Sequence, residues 1–238
     1  MKRSLAVLTS VLLSVALAVP AFAHEAGQWI LRAGVGTVMP KDDNLTLPEI
    51  FIDPLTINAT VQVDDGTSLT LTGTYMFTEN WALDILAAYP FSHDVDLDAT
   101  LDDGQNIPVS GTLPFGEVEH LPPTVSIQYH FMPDATFQPF VGLGLNYTTF
   151  LSEDLNQGIV DAGITDFSLD DSFGVAAQIG ADWVFGENWL LNFDIRWIDI
   201  EADLTATVDD GVNLPVTGKL GTVSIDPWVF AINLGYAF

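Results

Sequence analysis

The last twelve residues constrain this chain more than any other stretch. From Pro227 to Phe238, the residues Trp228, Phe230, Ile232, Leu234, Tyr236 and Phe238 alternate with Val229, Ala231, Asn233, Gly235 and Ala237. Side chains with a period of two point to opposite faces of a strand. One face is therefore uniformly large and apolar, and the other is small. A sandwich strand in water does not need six large apolar residues in alternation up to the terminus. A strand facing lipid does, and small inward residues suit the inside of a narrow barrel.

Seven earlier blocks follow the same rule. Residues 27–38 set Trp29, Leu31, Ala33 and Val35 against Arg32, Gly34 and Gly36. In 67–77, Leu69, Leu71, Tyr75 and Phe77 oppose Ser68, Thr70, Thr72 and Thr74, and in 81–91, Trp81, Leu83, Ile85 and Ala87 oppose Asp84 and Leu86. Residues 122–131 set Val125, Ile127, Tyr129 and Phe131 against Thr124, Ser126, Gln128 and His130. Residues 137–150 oppose Phe137, Val141, Leu143, Leu145 and Tyr147 to Gln138, Gly142, Gly144 and Asn146. The blocks 172–185 (Phe173, Val175, Ile179, Trp183 against Gln178, Gly180, Asp182) and 189–200 (Trp189, Leu191, Phe193, Ile195, Trp197 against Asn192, Asp194, Arg196) complete the set. The pattern predicts an all-β fold, an eight-stranded antiparallel transmembrane β-barrel.

Connections alternate in length. Thr78 to Asn80, Met132 to Thr136 and Gly186 to Asn188 are tight, whereas 39–66, 92–121, 151–171 and 201–222 are long. An even-numbered barrel then has both termini and the short turns on the periplasmic side, with long loops outside. Phe77, Trp81, Phe131, Trp183, Trp189 and Phe238 flank the tight turns and are expected to form the periplasmic aromatic girdle. An internal repeat marks the outer loops: Ala99 to Gly111 (ATLDDGQNIPVSG) returns as Ala206 to Gly218 (ATVDDGVNLPVTG), with a shorter echo from Ala59 to Gly66. Asp-Asp-Gly between extended stretches signals hairpin turns, so extracellular β-hairpin loops are predicted. Glu79-Asn80-Trp81 and Glu187-Asn188-Trp189 precede the two long copies, dividing the barrel into related halves.

The N-terminus reads as an export signal. Met1-Lys2-Arg3, an apolar stretch from Leu5 to Val19 and a small-residue end at Ala21-Phe22-Ala23 predict a signal peptide over 1–23 and an outer-membrane barrel over 24–238. After residue 23 no apolar run approaches the roughly 18 residues of a membrane helix. Four strong bases against 32 acidic residues leave the exported part at about −28. That charge argues against nucleic acid as a partner. The chain has no cysteine, which excludes disulfides and lipoprotein acylation. The carboxylates gather between apolar stretches, as solvated loop tips do.

Eight strands leave a lumen barely wide enough for side chains, so a large aqueous pore is not expected. Arg32, Asp84, Asp182, Asp194 and Arg196 point inward near the periplasmic end and are expected to pair as a polar plug, helped by Gln128, Gln138 and Asn233. Prolines supply the other unusual feature. Pro90 lies nine positions above Trp81 and Pro122 nine above Phe131, so Pro90, Pro122 and Pro123 share one height on neighbouring strands. Proline cannot donate to a ladder. Either the wall has a hole there, or the strands end and the prolines begin the loop.

These residues also carry a family resemblance. Ala87 to Phe91 (AAYPF), His120 to Phe131 (HLPPTVSIQYHF), Pro139 to Phe150 (PFVGLGLNYTTF), the closing Asn233 to Phe238 (NLGYAF) and the start His24-Glu-Ala-Gly resemble the OmpW family over essentially the whole exported chain. The resemblance implies passage of small hydrophobic molecules into a narrow apolar funnel and sideways into the membrane, at a lateral opening by Pro90, Pro122 and Pro123. Family members include an alkane-uptake protein and bacteriocin receptors. Outer-membrane lipid and lipopolysaccharide are the implied surroundings. The terminal aromatic resembles the assembly signal of outer-membrane barrels, implying the barrel-assembly machinery as a partner through Phe238. No cofactor is expected.

Two other classes compete. An enzyme would draw its base from His93, His120 or His130, but no nucleophile motif accompanies them. An adhesion or receptor barrel would work through its acidic extracellular loops. No histidine pair has metal-ligand spacing, and Asp102-Asp103 and Asp209-Asp210 lack an EF-hand pattern, so no metal site is expected.

Overall fold

The computed structural model describes residues 24–238 except 43, 48–49, 53–54, 103, 106–107 and 210–213. The expected signal peptide, residues 1–23, lies outside the described residues. In chain order the strands are β1 (Trp29–Met39), β2 (Leu45–Thr46), β3 (Ile50–Ile52), β4 (Leu55–Val63), β5 (Gly66–Met76), β6 (Trp81–Ala88), β7 (Phe91–Asp102), β8 (Val109–Leu121), β9 (Thr124–His130) and β10 (Phe137–Leu155). A short helix, α1 (Gln157–Asp161), precedes β11 (Ile164–Leu169), β12 (Ser172–Phe185), β13 (Trp189–Ile198), β14 (Glu201–Val208), β15 (Val216–Ser224) and β16 (Trp228–Ala237).

Eight of these strands close a barrel in the order β1, β5, β6, β9, β10, β12, β13, β16 and back to β1, all antiparallel. Closure removes every sheet edge, which a membrane-spanning sheet requires because lipid offers no partner to a free backbone group. The seam is tied at its periplasmic end, where Trp29 N–H donates to Phe238 O at 3.0 Å and Phe238 N–H to Trp29 O at 2.9 Å. The predicted faces hold: Trp228, Phe230, Ile232, Leu234, Tyr236 and Phe238 are exposed, while Val229, Asn233 and Ala237 are buried. The six girdle aromatics are exposed beside the tight turns, as an apolar band at the membrane edge requires.

Outside the barrel the long loops fold. The hairpin β7–β8 pairs with β4 on one side and with the top of β10 on the other. The hairpin β14–β15 takes β11 to form a separate three-stranded sheet. Both long repeat copies thus become hairpins. In the first, Gly104 adopts φ 68° and donates to Asp102 Oδ1 at 2.8 Å, while the tip of the second lies outside the described residues.

The third copy departs from the expected hairpin. Asp64-Asp65-Gly66 is a corner, because β4 pairs with β7 whereas β5 pairs with β1 and β6. Here the chain passes from the outer sheet down into the barrel. A Cβ at Gly66 would lie 2.6 Å from His93 Cε1, so the corner needs glycine for close approach rather than for a turn.

Candidate functional site

Inward positions of six strands meet at the periplasmic half of the lumen. Arg32 donates to both carboxylate oxygens of Asp182, from Nη2 at 2.6 Å and Nε at 3.2 Å. Its Nη1 bonds Thr74 Oγ1 and lies 3.9 Å from Asp84, which also accepts from Arg196 Nη2 at 3.3 Å. Arg196 Nε stands 3.6 Å from Asp194. All five sequence-predicted plug residues are therefore brought together in one chain of alternating charge, Asp182–Arg32–Asp84–Arg196–Asp194. Only the Asp194 side chain keeps appreciable exposure, 12% against 3% or less for the others. Asn192 donates to Asp182, and Asn233 to Asn192, extending the network. A charge so deeply buried would be costly alone, and each of the five has an opposite partner within 3.9 Å. Of the expected helpers, Gln138 turns instead to Pro133 O at 2.6 Å, and Gln128 to His130.

Above this floor the lining becomes apolar. A narrow cavity rises from Arg32, Asp84 and Arg196 to Leu86, Phe91, Pro122, Ile198 and Val229. A second cavity lies between the two extracellular sheets, lined by Val61, Val95, Phe115, Val118, Phe150, Phe167, Leu204, Val223 and Ile225, among others. Among the described residues its only polar side chains are those of His93 and His120. His93 Nδ1 contacts Asp64 O at 2.6 Å, and the His120 ring stacks on His93 at 4.9 Å. Burial lowers the His93 pKa; burial, then the neighbouring His93, pushes that of His120 down to about 3. Both rings are neutral near pH 7, which suits an apolar cavity. Among the described residues that line it, none carries a hydroxyl, thiol or amine for these histidines to activate. His130 is elsewhere, on the floor beside His24 and Asp182.

The prolines interrupt the wall. The β6–β9 ladder stops at the rung Leu86–Thr124, and the next rung on that seam is Phe91–His120 of β7–β8. Between them, residues 87–90 face 121–123 without ladder pairing. Each side stays bound to its other neighbour. Ala87 and Ala88 pair with β5, and Tyr89 N–H donates to Leu69 O at 2.9 Å. Across the seam, Tyr147 N–H of β10 donates to Pro123 O at 3.1 Å. The missing rungs follow from the missing donors: Pro90 and Pro122 have no N–H to offer this seam, while Pro123 turns its carbonyl to β10. Pro122, Leu86 and Phe91 line the lumen cavity at this height, while Tyr89 and Pro123 face outward.

Sequence reasoning missed Phe140, which points inward among the small residues of β10 and lines the lower cavity. It also took the outer loops for acidic tips. Their inner face was nonetheless written in Asp94-Val95-Asp96-Leu97-Asp98, an alternation with carboxylates outside and apolar residues inside.

A family model described as OmpW family matches residues 25–238. Outer membrane protein W of Vibrio cholerae is 40% identical over 220 residues, 92% of each chain. The chain belongs to the OmpW family. Outer membrane protein W of Escherichia coli K12 is 38% identical over the same share, and the crystal structure of OprG from Pseudomonas aeruginosa superposes with a TM-score of 0.75 at 34% identity, covering 91% of this chain and 98% of that one. This OmpW-family protein is therefore a barrel of the bacterial outer membrane, with its apolar outer band in the lipid bilayer. The OmpW family is one of outer-membrane barrels, not of enzymes.

Proposed function

We propose that the protein lets small hydrophobic molecules cross the outer membrane passively. They enter the apolar cavity between the extracellular sheets, descend past Phe91 and leave sideways between β6 and β9 into the lipid. The observation that carries this reading is the coincidence of three features at one height: the lining turns from apolar to charged, the ladder lacks its rungs, and Pro122 lines the lumen beside that break. The ion-paired floor disfavours a route straight down for an apolar solute, because displacing it would separate buried charges. The acidic outer surface keeps the loops soluble around lipopolysaccharide without entering the cavity. Assembly would proceed through the terminal strand and Phe238.

The test replaces Pro90, Pro122 and Pro123 with threonine or valine, whose N–H groups can restore the ladder. Uptake of an apolar solute into cells or liposomes should fall several-fold, while the heat-modifiable barrel band on gels is retained. Unchanged uptake in a folded, re-laddered barrel would rule out the lateral route.

A further inference from the structure

The four histidines of the chain fall into two pairs, and the second pair has no part in the solute path. His24 comes from the segment before β1, His130 from the end of β9 and Asp182 from β12. They meet at the periplasmic floor, one donor atom from each lying within 4.8 Å of the others, all buried. We propose that His24, His130 and Asp182 bind one divalent transition-metal ion of the zinc, nickel or copper type.

The hydrogen bonds around the three residues leave the right lone pairs free. His130 Nε2 lies 3.1 Å from Gln128 Oε1, an acceptor, so that nitrogen carries the proton. The opposite nitrogen, Nδ1, is then a bare lone pair, and it is buried without a partner. Metal-bound imidazoles have this arrangement, with the far N–H tied to an acceptor that fixes ring and tautomer. His24 Nε2 is also buried without a hydrogen bond, standing 3.6 Å from Asp182 Oδ2, beyond hydrogen-bond reach. Asp182 Oδ1 accepts from Asn192 and Arg32, whereas Oδ2 accepts from Arg32 and has His24 Nε2 3.6 Å away.

Buried ring nitrogens without a hydrogen bond are uncommon in folded proteins, and here two histidines that carry one share a buried cluster with a carboxylate, an arrangement a cation would satisfy. Charge agrees: the floor network holds three aspartates and two arginines. Two imidazoles and one carboxylate are donors for borderline ions, not for magnesium or calcium, which prefer all-oxygen shells. An ion about 2.0–2.2 Å from each donor would require the rings to close in slightly. His24, held by its backbone bond to Pro133 O, is placed to do so. A small cavity lined by His24, Gln28, Glu187, Asn188 and Trp189 lies beside the periplasmic turns and reaches His24, the outermost of the three donors. The ion would clip the start of the chain across the lumen to β9 and β12.

The experiment uses the processed protein purified from outer membranes, stripped with a chelator and titrated with ZnCl2 in detergent. Millimolar MgCl2 is kept present to occupy the exposed carboxylates. Calorimetry should show one saturable zinc per chain, and Co2+ should give visible bands of a low-symmetry nitrogen and oxygen site. Gln128→Leu should weaken binding about 10–100-fold. His24→Ala and His130→Ala should abolish both signals, and the double variant His93→Ala/His120→Ala should keep one zinc. If His130→Ala does not fold, His24→Ala and Gln128→Leu decide the question between them. Absence of one-to-one binding, or unchanged affinity in His24→Ala and Gln128→Leu, would overturn the site.

Discussion

Arg32 and Asp182 grip one another across the lumen through two hydrogen bonds, at 2.6 and 3.2 Å, with both side chains sealed from solvent. The pair joins β1 to β12, strands that are not neighbours in the wall, so it braces the barrel through its middle. Such a pair contributes little compared with well-packed apolar residues, but breaking it strands a buried charge. Arg32→Met should therefore lower the unfolding free energy by about 3–5 kcal/mol. Arg32→Met/Asp182→Leu should recover most of that loss. Urea unfolding followed by tryptophan fluorescence measures both, and equal losses in the single and double variants would refute the brace.

The two halves of the sequence repeat meet the same local problem in the same way. In the β5–β6 turn, Asn80 Nδ2 donates to His130 O at 2.8 Å, and His130 N–H donates back to Asn80 O at 2.7 Å. In the β12–β13 turn, Asn188 Nδ2 donates to Ala237 O at 2.6 Å, and Ala237 N–H donates back to Asn188 O at 2.9 Å. Each asparagine thus ends the adjacent strand by supplying the last rung from outside the ladder. Asn80→Ala and Asn188→Ala should each cost about 1 kcal/mol. Because the two turns share no partner, the double variant should be additive within about 0.5 kcal/mol by the same unfolding assay.

How much of this was legible depends on what fixes each residue. Which way a barrel strand faces is decided by lipid outside and crowding inside, so Trp228 to Phe238 could be read from a period of two. The five plug residues were legible for the same reason: a charge on an inward position has only other inward charges to meet. The hairpins outside were half legible. Their turns are local chemistry, but the apolar cavity beneath them depends on two sheets packing, as Phe115 does on Phe167 at 5.2 Å. Nothing local marks Phe167 as the partner. The Gly66 corner was misread because the same three residues serve a turn or a close approach, and only the partner strands distinguish them. Likewise His24 and His130 have no spacing to announce their meeting, since the barrel's closure is what brings them together.

The stacked histidines of the outer cavity make the extracellular sheets sensitive to acid. The fold holds His120 neutral down to about pH 3, whereas an unfolded histidine protonates near 6.5. Between those values the unfolded chain carries the extra proton, so stability falls as the pH drops through that window and is fully present only above it. His93 acts in the same direction, its pKa also being lowered by burial. The many carboxylates add their own acid sensitivity, so the informative quantity is the difference between two proteins. His120→Phe keeps an aromatic ring between Phe91 and Phe150, which flank it at 5.8 and 6.0 Å, and removes the titration. Its urea midpoint should fall less than that of the parent between pH 7 and 5, with the gap widening towards pH 4. Parallel pH profiles for the two proteins would show that His120 does not stay neutral in the folded state.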